Sequence, residues 1–260
     1  MSELRPASTV LLLRERDGLE VFLVKRHGKS RFMPGAWVFP GGRVDAADAL
    51  PCEHIVGGDA LLTRLQLEEP AGRGFLVAAV RETFEESGIW LGTGSLPDTL
   101  RNPLNDGEIS LSAALAEHGA RVDLDVLLPW SWWVTPTAEP RRYDTRFLVA
   151  IADQDGSHDR RETVDSGWFR PEDALAAVDR GEVRMAPPTW WTVRELQELG
   201  SVAAVRASAA ERVISRIQPE LVAHDGAVEL FLPGHERHAD PAIPGLPSHI
   251  ALRDGRWWAR

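Results

Sequence analysis

The strongest periodic pattern of the chain lies in GRGFLVAAVRETFEESGI, residues 72–89, where apolar and polar positions recur at helical spacing. At about 100 degrees per residue, the large apolar side chains fall on one side of this predicted helix. They are Leu76, Val80 and Phe84. Roughly the opposite side carries the acidic side chains Glu82, Glu85 and Glu86. We therefore predict a helix that presents three carboxylates on one face, above small side chains.

Other segments predict the elements around this helix. Asp17-Gly18 lies between two apolar strands within residues 8–28 and is a strong hairpin signal. Gly88 is the expected C-cap of the glutamate helix. Further strands are predicted in LDVLLPWSWWVTP and TRFLVAIAD, and further helices in LSAALAEHGA, PEDALAAVDRGE, TWWTVRELQELG and SVAAVRASAAERVISRI. These elements are compatible with an α/β protein.

The domain organisation follows from where this pattern is lost. Residues 45–71 have no clean period and are interpreted as an excursion from the main fold. We see no internal repeat and no low-complexity linker, so we predict one domain over residues 5–218 with an insert at about 46–71. Residues 219–260 contain short strand patterns with Gly and Pro turns. They are predicted to be an extension that packs on this domain or forms an oligomer contact.

Composition narrows the class of protein. The 260 residues are 43% hydrophobic and 26% charged, as in ordinary globular proteins. The net charge of −10 argues against a nucleic-acid partner, which normally needs a basic surface. Cys52 is the single cysteine, so we expect no disulfide within the chain and no cysteine-based zinc site, and we predict a reducing, cytoplasmic location. No apolar run approaches a membrane span and no export signal is evident, so no membrane partner is expected.

The three clustered glutamates raise a chemical question, because like charges three and four positions apart on a helix repel each other. Hard divalent cations such as Mg²⁺ would make the cluster favourable, since they prefer oxygen ligands. The alternative is an ordinary solvated acidic face. The upstream segment FPGGRVD favours the cation, because Gly41 and Gly42 let a backbone carbonyl approach a metal and a phosphate come close without a Cβ in the way.

Together these segments resemble the signature of the Nudix hydrolases. Arg81-Glu82-Thr83-Phe84-Glu85-Glu86-Ser87-Gly88-Ile89 fits the second half of that signature, with Thr83 as the one loose position. The first half departs from it, because about 25 extra residues separate Gly42 from Arg81. Asp48 is the candidate for the signature's earlier glutamate.

An insertion at this place is similar to the branch of the superfamily that contains the peroxisomal coenzyme A diphosphatases. Five further segments resemble stretches of that branch and occur in the same order: RFMPGAWVFPGG, WWVTP, RRYDTRFLVA, GWFRPEDAL and MAPPTWW. The resemblance runs from about residue 8 to 200. It implies an α/β fold of the Nudix type, an α/β/α sandwich around a mixed sheet, with additional C-terminal helices and a short β extension.

The resemblance also implies a metal-dependent site. Glu82, Glu85 and Glu86 would bind Mg²⁺ or Mn²⁺, and the Gly41 carbonyl would complete the shell. Arg81 would orient the carboxylates through charge-assisted hydrogen bonds. An acid outside the signature would serve as a further ligand or as the base. We select Glu162 for this role; its rivals are Asp144 and Asp165.

Substrate contacts are predicted from residue type. Arginine side chains would bind the phosphates; the candidates are Arg26, Arg31, Arg142 and the neighbouring Arg141. The phosphates would also lie close to the backbone of Gly41 and Gly42. Trp133 would stack on a base or line a channel, as could Trp132, Trp190 and Trp191. The alternatives are solvated surface arginines and tryptophans that pack in the core.

The implied activity is hydrolysis of coenzyme A or acyl-coenzyme A to 3',5'-ADP and 4'-phosphopantetheine or its acyl form. One alternative is hydrolysis of ADP-ribose, NADH or another nucleoside diphosphate derivative. Another is a non-catalytic Nudix fold that senses a ligand or binds a protein, although such proteins usually lose the carboxylates. The expected partner is a small nucleotide, and a homodimer is also considered.

Overall fold

The fold is described from a computed structural model over residues 3–30, 33–224, 227–253 and 255–260. The strands are β1 (Leu4–Glu15), β2 (Leu19–Arg26), β3 (Trp37–Val38), β4 (Gly41–Arg43), β5 (Ile55–Val56), β6 (Gly92–Thr93), β7 (Arg121–Asp123), β8 (Leu128–Val134), β9 (Arg142–Ile151), β10 (Thr163–Phe169), β11 (Arg216–Ile217), β12 (Glu220–His224), β13 (Ala227–Phe231), β14 (His249–Arg253) and β15 (Arg256–Ala259). The helices are α1 (Asp59–Arg64), α2 (Ala71–Ser87), α3 (Arg101–Asn105), α4 (Leu111–His118), α5 (Pro171–Asp179), α6 (Pro187–Leu199) and α7 (Val202–Glu211). Among the described residues, no helix is long and apolar enough to cross a bilayer.

The central sheet is mixed, with the strand order β10-β2-β1-β9-β8-β11. β1 pairs with β9 in parallel and with β2 in an antiparallel hairpin, which contains the predicted Asp17-Gly18 turn. The short strand β4 also pairs with β1, so that Ser8 lies opposite Gly42. This pairing fixes the two glycines against the first half of β1.

Alternation along β1 divides the core into two layers. Val10 and Leu12 are fully buried in the layer that contains α2 and α4, whereas Leu11 and Leu13 are fully buried in the layer that contains α5, α6 and α7. This arrangement follows from the period of two in a strand, which sends successive side chains to opposite faces. The predicted α/β/α sandwich around a mixed sheet is confirmed.

Helix α2 occupies the predicted glutamate segment. Gly88 is left-handed with φ +74° and donates its N–H to the Phe84 carbonyl at 2.8 Å, which confirms the C-cap. The helix is more buried than a simple amphipathic pattern predicts, because α3 and the insert cover the side that does not face the sheet. The small side chains beside the glutamates are therefore core residues, and Ala78 and Ala79 are fully buried.

The insert at 46–71 is an ordered layer on the α2 side of the sheet. It contains β5 and α1, and β5 joins β7 and β6 in a separate three-stranded sheet. Leu61, Leu62 and Leu65 are buried in the same core as α2. Arg64 also donates to the carbonyl of Ala209 at 2.6 Å. The segment thus carries its own elements, which the absence of a clean period did not predict.

The predicted helix SVAAVRASAAERVISRI is shorter than its sequence pattern indicates. Helix α7 ends at Glu211, and the following residues become β11, which pairs in parallel with Trp132 and Trp133 of β8. Pairing with the sheet buries Ile217, whereas Val213 between the two elements is 80% exposed. The last residues of the predicted helix therefore form an edge strand of the central sheet instead.

The C-terminal residues form a four-stranded sheet in the order β12-β13-β14-β15. This sheet packs on the α5 and α6 side of the domain. The Trp257 indole N–H donates to the Met185 carbonyl at 3.0 Å, and its ring lies 6.5 Å from that of Trp190. Leu230 and Ile250 are buried in the same core. The extension is thus part of the folded body within this chain.

Candidate active site

Arg81 is the centre of the carboxylate cluster on α2. Its Nε and Nη2 donate to the two oxygens of Asp48 at 2.7 and 3.1 Å, and the Asp48 side chain has no exposed surface. Its Nη1 donates to Glu82 at 2.9 Å and to Glu85 at 3.0 Å. Asp48, the candidate for the missing acid of the signature, therefore fixes the guanidinium that joins two of the glutamates.

The two glycines upstream are constrained by the third glutamate and by Glu82. The Gly41 N–H donates to Glu86 Oε2 at 2.9 Å. A Cβ on Gly42 would lie 2.4 Å from the Glu82 carboxylate, and a Cβ on Gly41 would lie 2.3 Å from the Ser8 carbonyl oxygen. Only glycine lets strand β4 approach both the helix and β1 this closely.

Burial dominates the electrostatics of the three glutamates. It raises the pKa of Glu82 to about 7 and that of Glu85 to about 8, although the Arg81 charge opposes both shifts. Burial also raises the pKa of Glu86 well above its usual range, and repulsion by Glu82 adds to the shift. The negative charge of Glu162 raises the pKa of Glu82 and Glu86 further. The cluster therefore favours additional positive charge.

The donor chemistry of the cluster fits a divalent cation. Glu85 Oε1 is buried without a hydrogen-bond partner, and carboxylate oxygens are the ligands that Mg²⁺ and Mn²⁺ prefer. Within the described ranges, no three acidic, histidine or cysteine side chains are already grouped as metal ligands. One oxygen of Glu82 and one of Glu85 accept from Arg81, and one oxygen of Glu86 accepts from Gly41. These bonds leave the second oxygen of each of the three glutamates for a cation.

A cavity of about 880 Å³ opens beside the cluster. The wall next to the carboxylates includes Glu82, Glu85, Arg81, Arg26 and Arg43. From there the cavity extends across the central sheet to the C-terminal sheet. The site thus combines an acidic centre, arginines and a space large enough for an elongated small molecule.

Glu162 is the one candidate base that lines this cavity. Asp144 accepts from the Trp132 indole N–H at 2.6 Å and pairs with Arg146. Its side chain therefore lies on the face of β9 that points away from the cavity. Asp165 is exposed and lies outside the cavity wall. The geometry therefore speaks against the two rivals, whereas the role of Glu162, which lines the cavity, stays a prediction.

The predicted substrate contacts divide into three groups. Four of the residues line the cavity: Arg26, Gly41, Gly42 and Trp133. The side chain of Trp133 is buried. Arg31 lies outside the described residues. The structure gives a place to the first four of these residues, and the roles of all five stay predictions.

Arg142 is a wrong prediction. It is buried, and its Nε donates to the Thr135 carbonyl at 3.1 Å. Arg142 alternates with Tyr143 along β9, and Tyr143 is the residue that lines the cavity. Arg141 and Trp132 likewise lie outside the cavity wall.

The loop that carries Glu162 depends on a residue that the sequence reasoning missed. Asp159 accepts hydrogen bonds from the backbone N–H of Glu162 at 3.1 Å and of Thr163 at 2.9 Å. Burial alone would raise the pKa of Asp159, but bonds from the Thr163 hydroxyl and from three backbone N–H groups outweigh it and lower the pKa. An aspartate a few residues before a strand is a recognisable turn signal, which could have identified this residue.

The sequence model of the NUDT19 Nudix domain matches residues 63–196 of this chain. A relative described as acyl-coenzyme A diphosphatase NUDT19 from Gallus gallus is 29% identical, over 87% of this chain and 75% of the relative. Its namesake from Homo sapiens is 26% identical, over 86% of this chain and 73% of the relative. Among solved structures, the NUDIX hydrolase from Alicyclobacillus acidocaldarius is 26% identical with a TM-score of 0.68, and the match covers 83% of this chain and 99% of that one.

Proposed function

This chain belongs to the Nudix hydrolases with the NUDT19 type of Nudix domain, and on that premise we propose that it hydrolyses the diphosphate bond of coenzyme A or an acyl-coenzyme A. The products would be 3',5'-ADP and 4'-phosphopantetheine or its acyl form. One observation carries the proposal: the carboxylate cluster of raised pKa forms one end of a long cavity. The names of the two acyl-coenzyme A diphosphatase relatives support this choice of substrate.

We assign the binding of Mg²⁺ or Mn²⁺ to Glu82, Glu85 and Glu86, with the Gly41 carbonyl as a further donor. A cation held there would supply positive charge beside the phosphate oxygens and would lower the pKa of a bound water molecule. Arg81 holds the carboxylates of Glu82 and Glu85 together, and Asp48 fixes the guanidinium of Arg81. The chain itself thus organises the carboxylates before substrate arrives.

We assign to Glu162 the removal of the proton from the attacking water. Its carboxylate lines the cavity and lies close enough to Glu82 and Glu86 to raise their pKa values. Arg26 and Arg43 line the same end and would neutralise the phosphates of the nucleotide. This division of roles leaves the remainder of the cavity for the other half of the substrate.

Mass-resolved product analysis tests the proposal. The purified chain would be offered coenzyme A, an acyl-coenzyme A, ADP-ribose and NADH, each with Mg²⁺ and with Mn²⁺. We expect 3',5'-ADP from the first two and none from Glu86→Gln, which has nearly the same side-chain shape. AMP from ADP-ribose or NADH without turnover of coenzyme A would reject the substrate while keeping the enzyme class.

Two further expectations from the sequence stay predictions. A homodimer would appear in light scattering of the purified chain as twice the mass of 28.7 kDa. A cytoplasmic location would appear in fractionation of the cells that produce the protein.

A further inference from the structure

The cavity has an apolar half that the hydrolysis of a diphosphate does not require. Its wall at this end contains Pro187 from α6 and five residues of the C-terminal extension. Those five are Pro219, Leu221, Val228, Leu230 and Trp257. Strand pairing puts Leu221 opposite Leu230, so both point to one face of the C-terminal sheet. The five residues of the extension lie outside the match to the family model, which ends at residue 196.

The register of the central sheet sets the distance between the two halves. Cross-strand partners form one row, Arg43, Ala7, Thr145, Trp133 and Ile217, from β4 through β1, β9 and β8 to β11. The first four residues of this row line the cavity. Four steps between neighbouring strands give roughly 19 Å. The carboxylates lie at the β4 end of the row, and β12 begins shortly after its other end.

This distance matches the length of a pantetheine arm. Thirteen bonds join the phosphorus atom to the thiol sulfur of coenzyme A. At roughly 3.5 Å for every three bonds of an extended chain, the arm spans about 15 Å. A diphosphate beside Glu82 and Arg43 would therefore bring the sulfur to the region between β8 and β11. Any group attached to the sulfur would continue along the apolar wall.

The charges favour the same direction. Arg26, Arg43 and Arg81 line the carboxylate end of the cavity, where the 3',5'-ADP half would find cationic partners. Of the described residues that form the apolar half, none is a lysine or an arginine. A nucleotide with three phosphate groups is thus disfavoured there, and a hydrocarbon chain is favoured by burial of its surface.

We propose that the apolar half receives the acyl chain of this substrate, and that the C-terminal sheet thereby sets the preference for chain length. This inference rests on the proposed function and extends it. Each methylene that enters the subsite would raise kcat/KM by up to roughly fourfold.

The test compares kcat/KM for free coenzyme A with that for saturated acyl-coenzyme A thioesters of increasing length. For the natural chain we expect a rise with length and then a plateau when the subsite is full. Val228→Phe would fill the subsite and lower the ratio of the long-chain to the free-coenzyme value at least tenfold. Val213→Phe is the matched control, because Val213 is 80% exposed, and its ratio should equal that of the natural chain.

If Val228→Phe fails to fold, Val228→Thr keeps the shape of the side chain and exchanges one methyl group for a hydroxyl, and it should flatten the dependence on length. Equal kcat/KM for all lengths, or an equal loss for every substrate in the variant, would overturn the subsite while the diphosphatase activity stands. If no coenzyme A compound is hydrolysed, calorimetric binding of the same thioesters decides. A Kd that falls with chain length keeps the subsite, and a Kd independent of length rejects it.

Discussion

Asp48→Asn separates the role of a buried charge from that of its side-chain shape. The Asp48 carboxylate accepts from Arg81 Nε, from Arg81 Nη2 and from the backbone N–H of Asp45, at 2.7, 3.1 and 2.8 Å. The amide of asparagine has only one acceptor oxygen, so its NH₂ group would face an N–H group of Arg81 or of the Asp45 backbone. The variant therefore leaves a buried donor without a partner and weakens the charge pairing of Arg81.

The expected cost lies near the lower end of the values for breaking a buried ion pair. Removing one partner of such a pair typically costs about 3–5 kcal/mol. Arg81 keeps Glu82 and Glu85 as partners, so we expect about 3 kcal/mol. This is a large part of the free energy of unfolding of a typical protein, which is about 5–15 kcal/mol.

Asp45→Asn is the matched control. Asp45 lies three positions earlier, is 53% exposed, and approaches Arg81 and Arg43 only at 3.8 Å. Exposed pairs of this kind are worth about 0–1 kcal/mol. Urea unfolding followed by tryptophan fluorescence would give both free energies, and product formation would report the release of Arg81. Equal free energies of unfolding for the two variants, within about 0.5 kcal/mol, would refute the role of Asp48. The role would also be refuted if Asp48→Asn lowered the free energy of unfolding by the same amount in a chain that already carries Arg81→Lys.

Three further predictions address the site. Gly42→Ala should reduce kcat at least tenfold without unfolding the chain, because the new Cβ would lie 2.4 Å from the Glu82 carboxylate; circular dichroism together with a product assay checks this. Asp159→Asn should lower the free energy of unfolding at pH 7, and the difference should begin to shrink at about pH 4 and disappear only when the pH falls below the lowered pKa of Asp159, because its carboxylate stabilises the fold only while it is charged; urea unfolding at several pH values measures it. Mg²⁺ should raise Tm more at pH 8 than at pH 6, because the carboxylates of Glu82 and Glu85, with pKa values of about 7 and 8, lose their protons in the fold only as the pH rises through that range and can then bind the cation without releasing a proton; equal shifts at both pH values would contradict this.

The sequence was sufficient for those parts of the site that lie on one regular element. Glu82, Glu85 and Glu86 share a face because a helix repeats every 3.6 residues, and Gly88 ends the helix where a left-handed residue is needed. The same holds for the hairpin at Asp17-Gly18, because its turn chemistry is local. Local periodicity thus predicts both the chemistry and its orientation.

The sequence was insufficient where tertiary pairing decides. Arg142 and Tyr143 are neighbours, and only the pairing of β9 in the sheet determines which of them faces the cavity. The residues after α7 have a helical pattern but join the sheet through β11. The apolar wall from Leu221 to Trp257 depends on the packing of a second sheet, which no local pattern in the chain specifies.

The insertion inside the signature is tolerated for a physical reason. The glycines and the glutamates meet because β4 pairs with β1 and α2 packs on β1, so the length of chain between them is free to vary. Lengthening the connection roughly threefold costs about 1 kcal/mol in loop-closure entropy. Burial of Leu61, Leu62 and Leu65 against the α2 core offsets this cost several times over. What the connection must keep is Asp48 at its start, because this carboxylate reaches across the interrupted signature to hold Arg81, and the extra residues follow it without disturbing that pair.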